Sequence, residues 1–274
     1  MNIDFISITT NQPEKQSMFI ENSLTILNNC KFNKKIVGVD MVPGGNLETN
    51  FVNFLSEHSF SADYHSGLGM VNNLNSVINQ LDSEWVLYAE DDVRLNKNID
   101  FSKLLKFVEK KTNKKVGIID FMAARGIGFS EDISVQFKRN ALKKSSYLKH
   151  KDMQIWVRDA DTVDHFFINF PILLIKREIF QKCFFEAKEN FKNHQIETGF
   201  TAAFSKLNFI EEYIKIHIFS NLPDFTTAKN ASAKDISFNY FNNLLFIDNK
   251  DTMSGLDFSS NFTLDMPWTQ IYSF

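Results

Sequence analysis

The sequence predicts an α/β fold, a mostly parallel sheet flanked by helices, and three observations carry that prediction. Short apolar runs alternate with stretches of helical periodicity from Ile3 to Met122. Polar residues collect where several of those runs end, at Thr9-Thr10, at Asp40 and at Glu90-Asp91-Asp92. No repeat or low-complexity linker divides the 274 residues, a length that suits one large domain or one domain with an appendage. Strand–helix alternation builds parallel sheets because a parallel pair needs a crossover, which a helix supplies.

Taken in order, residues 3–8 form an apolar run closing on the loop Thr9-Thr10-Asn11-Gln12-Pro13. Residues 17–29 set Ile20, Leu24 and Leu27 at helical spacing. A second strand over 35–41 closes on Asp40, and Pro43-Gly44-Gly45 marks a turn. A helix over 47–56, a brief strand over 62–65 and a helix from Gly69 to Leu81 follow. Residues 85–89 are the fourth strand, 101–110 a helix and 116–122 a further strand. The second half is less regular. Residues 130–164 are polar and basic with few strand signals, and read as a long excursion over the sheet. Residues 166–175 are strongly apolar, 179–191 helical, and 194–209 a helical stretch with Glu197 near its start. A strand over 213–219 carries His217, and an aromatic-rich extension without clear period follows Asn221.

Composition narrows the function. Hydrophobic residues at 43% supply a core, and a net charge of −3 argues against a general nucleic-acid binder. The basic stretches 110–115 and 138–151 read as solvated surface. The 29 Phe are partly a compositional bias shared with Lys, Asn and Ile, so each is not read as functional. Cys30 and Cys183 are expected as free thiols, since two cysteines make neither a disulfide framework nor a zinc site. The N-terminus starts a strand at once, without the features of a signal peptide. No window approaches the roughly 18 apolar residues of a membrane span. The expectation is a soluble, cytoplasmic protein.

The stretch Trp85-Val-Leu-Tyr-Ala-Glu90-Asp91-Asp92 drives an apolar strand into three consecutive carboxylates. Three like charges repel, and a divalent cation would compensate them, since hard oxygen ligands suit magnesium or manganese. A solvated acidic turn is the other reading. Ligands of open α/β sheets sit beyond the carboxyl ends of the strands. Thr9-Thr10 and Asp40 fall at such ends too, which favours a site.

Residues 69–92 also carry a longer pattern. Gly69-Met-Val-Asn-Asn73-Leu74-Asn75-Ser-Val77-Ile78 precedes Glu84-Trp85, the strand, and Glu90-Asp91-Asp92. This resembles the nucleotide-sugar segment of GT-A-fold glycosyltransferases, particularly family 2, whose pattern runs Gly-x-x-x-Ala-Arg-Asn-x-Gly-Ile, a strand, then Asp-x-Asp. Leu74 replaces the family's Arg, Val77 its second Gly and Glu90 its first Asp. The Glu-Asp-Asp-Val spelling is also similar to lipopolysaccharide-type transferases of the same architecture. The resemblance covers roughly the first 125 residues and continues weakly through 171–180.

The resemblance implies a GT-A, Rossmann-like domain over 1–220, with a nucleotide-sugar part at 1–125, an acceptor part at 126–220 and a C-terminal extension at 221–274. It implies metal-dependent transfer of a sugar from a nucleotide-sugar donor, UDP-linked, to a glycan, lipid-linked or protein acceptor, with inversion. Mn²⁺ or Mg²⁺ would be held by Asp92, with Glu90 as a further ligand or at the ribose or a metal-bound water, and Asp91 at the donor sugar or in solvent. Asp40 would read the uracil N3–H, Thr9 and Thr10 would wrap the nucleoside, and Gly69 and Asn75 belong to the nucleotide-sugar segment. Glu197 is the candidate base, although Thr198 follows it where the family has a second acid. Asp159, Asp161 and Asp164 are its competitors. His217 would be a further metal ligand or a structural histidine. Arg125 would meet phosphate or acceptor, whereas Phe238, Tyr240, Phe241, Trp268 and Tyr272 read as packing. A binding module without turnover and a metal-dependent nucleotidyltransferase are the alternatives.

Overall fold

Alternating apolar and polar runs become alternating strands and helices in the computed structural model, which describes residues 1–67, 69–95, 99–121, 146–150, 153–158, 172–190, 196–220 and 246–248. The first elements are β1 (Ile3–Thr10), α1 (Pro13–Leu27), β2 (Lys35–Asp40), α2 (Thr49–Glu57), β3 (Ser61–His65), α3 (Gly69–Ile78), β4 (Trp85–Ala89) and β5 (Val93–Leu95). Then come α4 (Phe101–Thr112), β6 (Lys115–Asp120), β7 (Ser146–His150), β8 (Met153–Arg158) and β9 (Ile172–Lys176). The described chain continues with α5 (Arg177–Asn190), α6 (Ile196–Lys206), α7 (Phe209–Glu212), β10 (Tyr213–Ser220) and β11 (Phe246–Asp248). Among the described residues no helix is long and apolar enough to cross a membrane.

Two compact units interleave along the chain, one from residues 1–95 and 168–209, the other from 96–167 and 210–274. The first carries strands in the order β3-β2-β1-β4-β9. Its first four run parallel and β9 runs antiparallel to β4, so the expected mostly parallel α/β sheet is present there. β4 is buried along its whole length between two neighbours, which is why Trp85-Val-Leu-Tyr-Ala is continuously apolar. β3 ends the order and is only half-buried.

Alternation along β2 sends side chains to opposite faces. Val37 and Val39 pack with Phe19 of α1 and Phe51, Phe54 and Leu55 of α2. Phe19 stands edge-on to Phe51 at 5.5 Å and to Phe54 at 5.9 Å between ring centroids. Gly38, facing the other way, meets Asn73 of α3, whose Oδ1 lies 2.1 Å from where a Cβ would sit. The missing side chain lets α3 settle close on β2. A second aromatic group joins Tyr88 of β4 to Phe180 of α5, and Phe180 to Phe200 of α6.

In the second unit β6-β10-β8-β7 follow one another, with β6 and β10 parallel and the other pairs antiparallel. The hairpin β7–β8 occupies part of 130–164, where few strand signals were expected. The β-forming Tyr147, Ile155, Trp156 and Val157 outweigh the lysines between them, with Tyr147 opposite Trp156. α4 starts on the Asp100 carboxylate, which accepts from Lys103 N at 3.0 Å, and ends on Asn113 at φ 54°.

Several boundaries shift. β1 runs through Thr9 and Thr10, as β-branched residues permit, and α1 starts at Pro13, whose fixed φ suits a first turn. α3 stops at Ile78, short of Leu81, and β5 was not foreseen.

The amino ends of the strands are locked by Asp4, fully buried within β1. Its Oδ1 accepts from Lys34 N at 3.2 Å and Ser83 Oγ at 2.6 Å, and its Oδ2 from Asp82 N at 2.7 Å and Ser83 N at 2.8 Å. Burial pushes this carboxyl up, but the bonds from Ser83, Asp82 and Lys34 outweigh it and hold it below its ordinary range. Asp4→Asn turns an NH₂ toward two donors whichever way it rotates, and should cost about 2–4 kcal/mol in denaturant unfolding. The stabilisation from ionised Asp4 is present above the ordinary carboxyl range and is lost as pH falls through the lowered value. The gap between wild type and Asp4→Asn should therefore close on acidification.

Candidate active site

The parallel strands bring their carboxyl ends together, with Thr10 opposite Asp40 and Asp40 opposite His65. Buried side chains then fix the loops that leave this edge. Asn11 accepts from Val42 N at 2.8 Å, and its Nδ2 donates to Val42 O at 3.3 Å, clasping the β2–α2 loop. Gln16 donates to Asn46 O at 2.8 Å and accepts from Glu48 N at 2.9 Å. Thr10 accepts from Gln12 N at 3.3 Å, turning the chain into α1. Asp40 Oδ2 accepts at 3.1 Å from the amide of Gly69, which takes φ +72°, a conformation glycine adopts without strain.

The acidic triple leaves β4 beside this edge. Glu90 is half-buried, while Asp91 and Asp92 are buried at 7% and 1% exposure. Asp91 is enclosed by partners from β1 and α1. Its Oδ2 accepts from Thr9 Oγ1 at 2.9 Å, its Oδ1 from Lys15 Nζ at 2.9 Å, and its backbone carbonyl from Asn22 Nδ2 at 2.9 Å. The same ammonium stands 3.8 Å from Asp92 Oδ2. Burial pushes the Asp91 carboxyl above its ordinary range; Lys15 and Thr9 pull against it, and Asp92 adds to the rise. Asp91 is thus neither solvated nor a loose contact.

Lys15 is the residue that sequence reasoning missed. It lies in the first turn of α1, where the helix dipole disfavours a cation. The carboxylates of Asp91 and Asp92 give the reason for it. A lysine on the same helix face as buried Phe19 and Asn22 was the available signal.

The structure brings together Thr9, Asp91 and Lys15 with Asp92, and joins Asp40 to Gly69. It does not bring Asn75 into that network, since its Oδ1 accepts from Lys188 of α5 at 3.4 Å. Leu74 and Val77, standing where the family pattern has Arg and Gly, are fully buried. Glu197 is the second residue of α6 and His217 lies in β10 opposite Asp120 and Trp156, with both side chains outside the described residues. Asp159, Asp161, Asp164, Arg125, Phe238, Tyr240, Phe241, Trp268 and Tyr272 also lie outside them.

Among the described residues no group of three or more His, Cys, Asp and Glu is arranged to hold a metal. Two carboxylates can suffice for magnesium or manganese, which keep several waters. Of the triple, Asp91 is engaged by Thr9 and Lys15.

No protein-family model and no curated protein matches the chain. Solved structures do match. A mannosyltransferase from Pyrobaculum calidifontis in complex with GDP-Man and Mn²⁺ is 10% identical over 97% of this chain and 71% of its own, with a TM-score of 0.43. A CMP:2-keto-3-deoxy-manno-octonic acid synthetase complexed with CTP is 7% identical over 79% and 89%, TM-score 0.40. A UDP-glucose pyrophosphorylase complexed with UDP-glucose is 11% identical over 79% and 90%, TM-score 0.36. At such scores none supplies a residue correspondence.

Thr9→Val leaves a buried carboxylate oxygen without its hydroxyl donor and should destabilise the protein by about 1–3 kcal/mol at neutral pH. Asp91 behaves oppositely to Asp4, because its contribution favours folding below the ordinary carboxyl range and is lost as pH rises through the raised value. The Thr9→Val deficit should therefore shrink on acidification through that window, as read by denaturant melts at several pH values.

Proposed function

We propose that this chain is a glycosyltransferase of the GT-A type that takes a nucleotide-sugar donor at the carboxyl edge of its parallel strands. The observation that supports it best is the convergence of Thr10, Asp40 and Gly69 on one part of that edge and of Thr9, Lys15 and the acidic triple on another. An open α/β sheet binds ligands there. The family resemblance of residues 69–92 specifies the ligand as a nucleoside diphosphate sugar, UDP-linked, with GT-A boundaries near residues 125 and 220.

In this reading Thr9, Thr10 and Asp40 hold the nucleoside, with Asp40 accepting from the base N3–H while Gly69 N–H fixes its other side. Glu90 and Asp92 would hold Mn²⁺ or Mg²⁺. When bound, the ion supplies positive charge against the diphosphate leaving group. Glu197 takes the proton from the acceptor hydroxyl as its oxygen bonds to the anomeric carbon and the nucleoside diphosphate departs, inverting the centre. Gly69 packs the loop close to the donor, and Asn75 supports α3 against α5.

The test is a thermal melt with ligands. A ligand at a hundredfold its Kd adds about 2.7 kcal/mol, or about 5–10 °C for a chain of this size. UDP with MnCl₂ should give such a shift, Asp92→Ala should abolish it, and Asp40→Asn should weaken it for UDP more than for GDP. An unchanged nucleotide response in Asp92→Ala overturns the metal assignment. In a donor panel, glycosyl transfer releases UDP. Pyrophosphate release from UTP and a sugar phosphate would instead establish a nucleotidyltransferase.

A further inference from the structure

We infer that His65 is a specificity-determining residue, closing the outer side of the base site so that it bears on the C4–C5 edge of a pyrimidine. This rests on the proposed seating of the nucleoside at Thr9, Thr10 and Asp40. Thr10, Asp40 and His65 are direct partners across the ends of β1, β2 and β3, so they form one row on one face of the sheet. That face is the one α3 covers. Asn73 of α3 meets Gly38, two residues before Asp40, and Gln80 beyond α3 donates at 2.9 Å to Asp63, two residues before His65. Neighbouring strands lie about 4.8 Å apart, which puts the imidazole beside a group seated on Asp40, on the side away from β1. In a pyrimidine nucleoside the ribose is on N1, the C2 carbonyl lies between N1 and N3, and C4 and C5 lie beyond N3. With N3–H on Asp40 and the rest of the nucleoside held from β1, the C4–C5 edge faces β3. The ring is braced for this task. His65 Nε2 is shielded from solvent and stands 3.1 Å from Asp63 Oδ1, a close polar contact rather than an aligned hydrogen bond. Gln80 holds the other oxygen of Asp63. The His65 carbonyl accepts from Met41 N at 2.5 Å, tying β3 to the residue after Asp40. A side chain so fixed discriminates by shape, because it cannot step aside for a larger base.

Shape discrimination predicts reciprocal effects from an enlarged base and a reduced side chain, which a merely structural histidine would not produce. Titration calorimetry on the full chain with MgCl₂ compares UDP with 5-iodo-UDP. Wild type should bind 5-iodo-UDP about tenfold more weakly than UDP, and His65→Ala should bring the two within about threefold. A wild type that binds both alike, or a penalty on 5-iodo-UDP unchanged in His65→Ala, overturns the role of His65. Proton–nitrogen correlation spectra of the wild type keep the test open if His65→Ala does not fold. The His65 imidazole signals are identified by their loss in His65→Gln, and the Gly69 amide reports on the nucleoside site through its bond to Asp40. UDP should move both. Movement of Gly69 alone overturns the contact at His65 and leaves the nucleoside site standing, whereas movement of neither overturns both.

Discussion

A carboxylate run leaving a buried strand must meet positive charge, and here it meets the ammonium of Lys15. Asp91 is taken out of water, and burial of that kind is offset only where good geometry and further hydrogen bonds satisfy the group. Thr9 and Lys15 do so from two different elements, and Asn22 fixes the backbone beside it. That single cluster fastens the loop after β4 to β1 and to α1. The positions of Glu90 and Asp92 follow from it, because they flank the residue that is anchored.

The sheet of the first unit has a comparable fixture at its other end. Asp4 gathers donors from the segments entering β2 and β4, so the three strands are aligned where they begin. Where they finish, Asn11 and Gln16 hold the following loops through their backbone. Loop residues at the carboxyl edge are thus placed by rigid, buried amides and carboxylates, the arrangement in which variable loops carry chemistry on a fixed scaffold.

Much of this was legible. The alternation of apolar and helical runs gave β1 to β4 and α1 to α3 with small errors at their ends, since the periodicities are local. The acidic triple and Asp40 were also visible, because the residues that follow an apolar run mark a strand's end. Lys15 was not, as its partner Asp91 lies 76 positions away and only the folded chain joins them. The partners of Asp91 were hidden for the same reason: without Lys15 and Thr9 in view, the middle acid reads as a contact to the donor sugar or as solvated. The β7–β8 hairpin was missed because lysines broke the apolar pattern while the backbone preference of the aromatic and branched residues between them persisted.

β3 has a further consequence for how copies of this protein coexist. It closes the strand order of its unit with five residues, and a terminal strand offers unpaired amides and carbonyls to any other chain. Asp63 stands at its middle, accepting from Gln80 and close to His65, and Gly67 at φ +61° turns the chain just beyond it. A strand added there would gain little length and would have to accommodate a charged carboxylate. The border is short and polar, and it resists recruiting a second sheet.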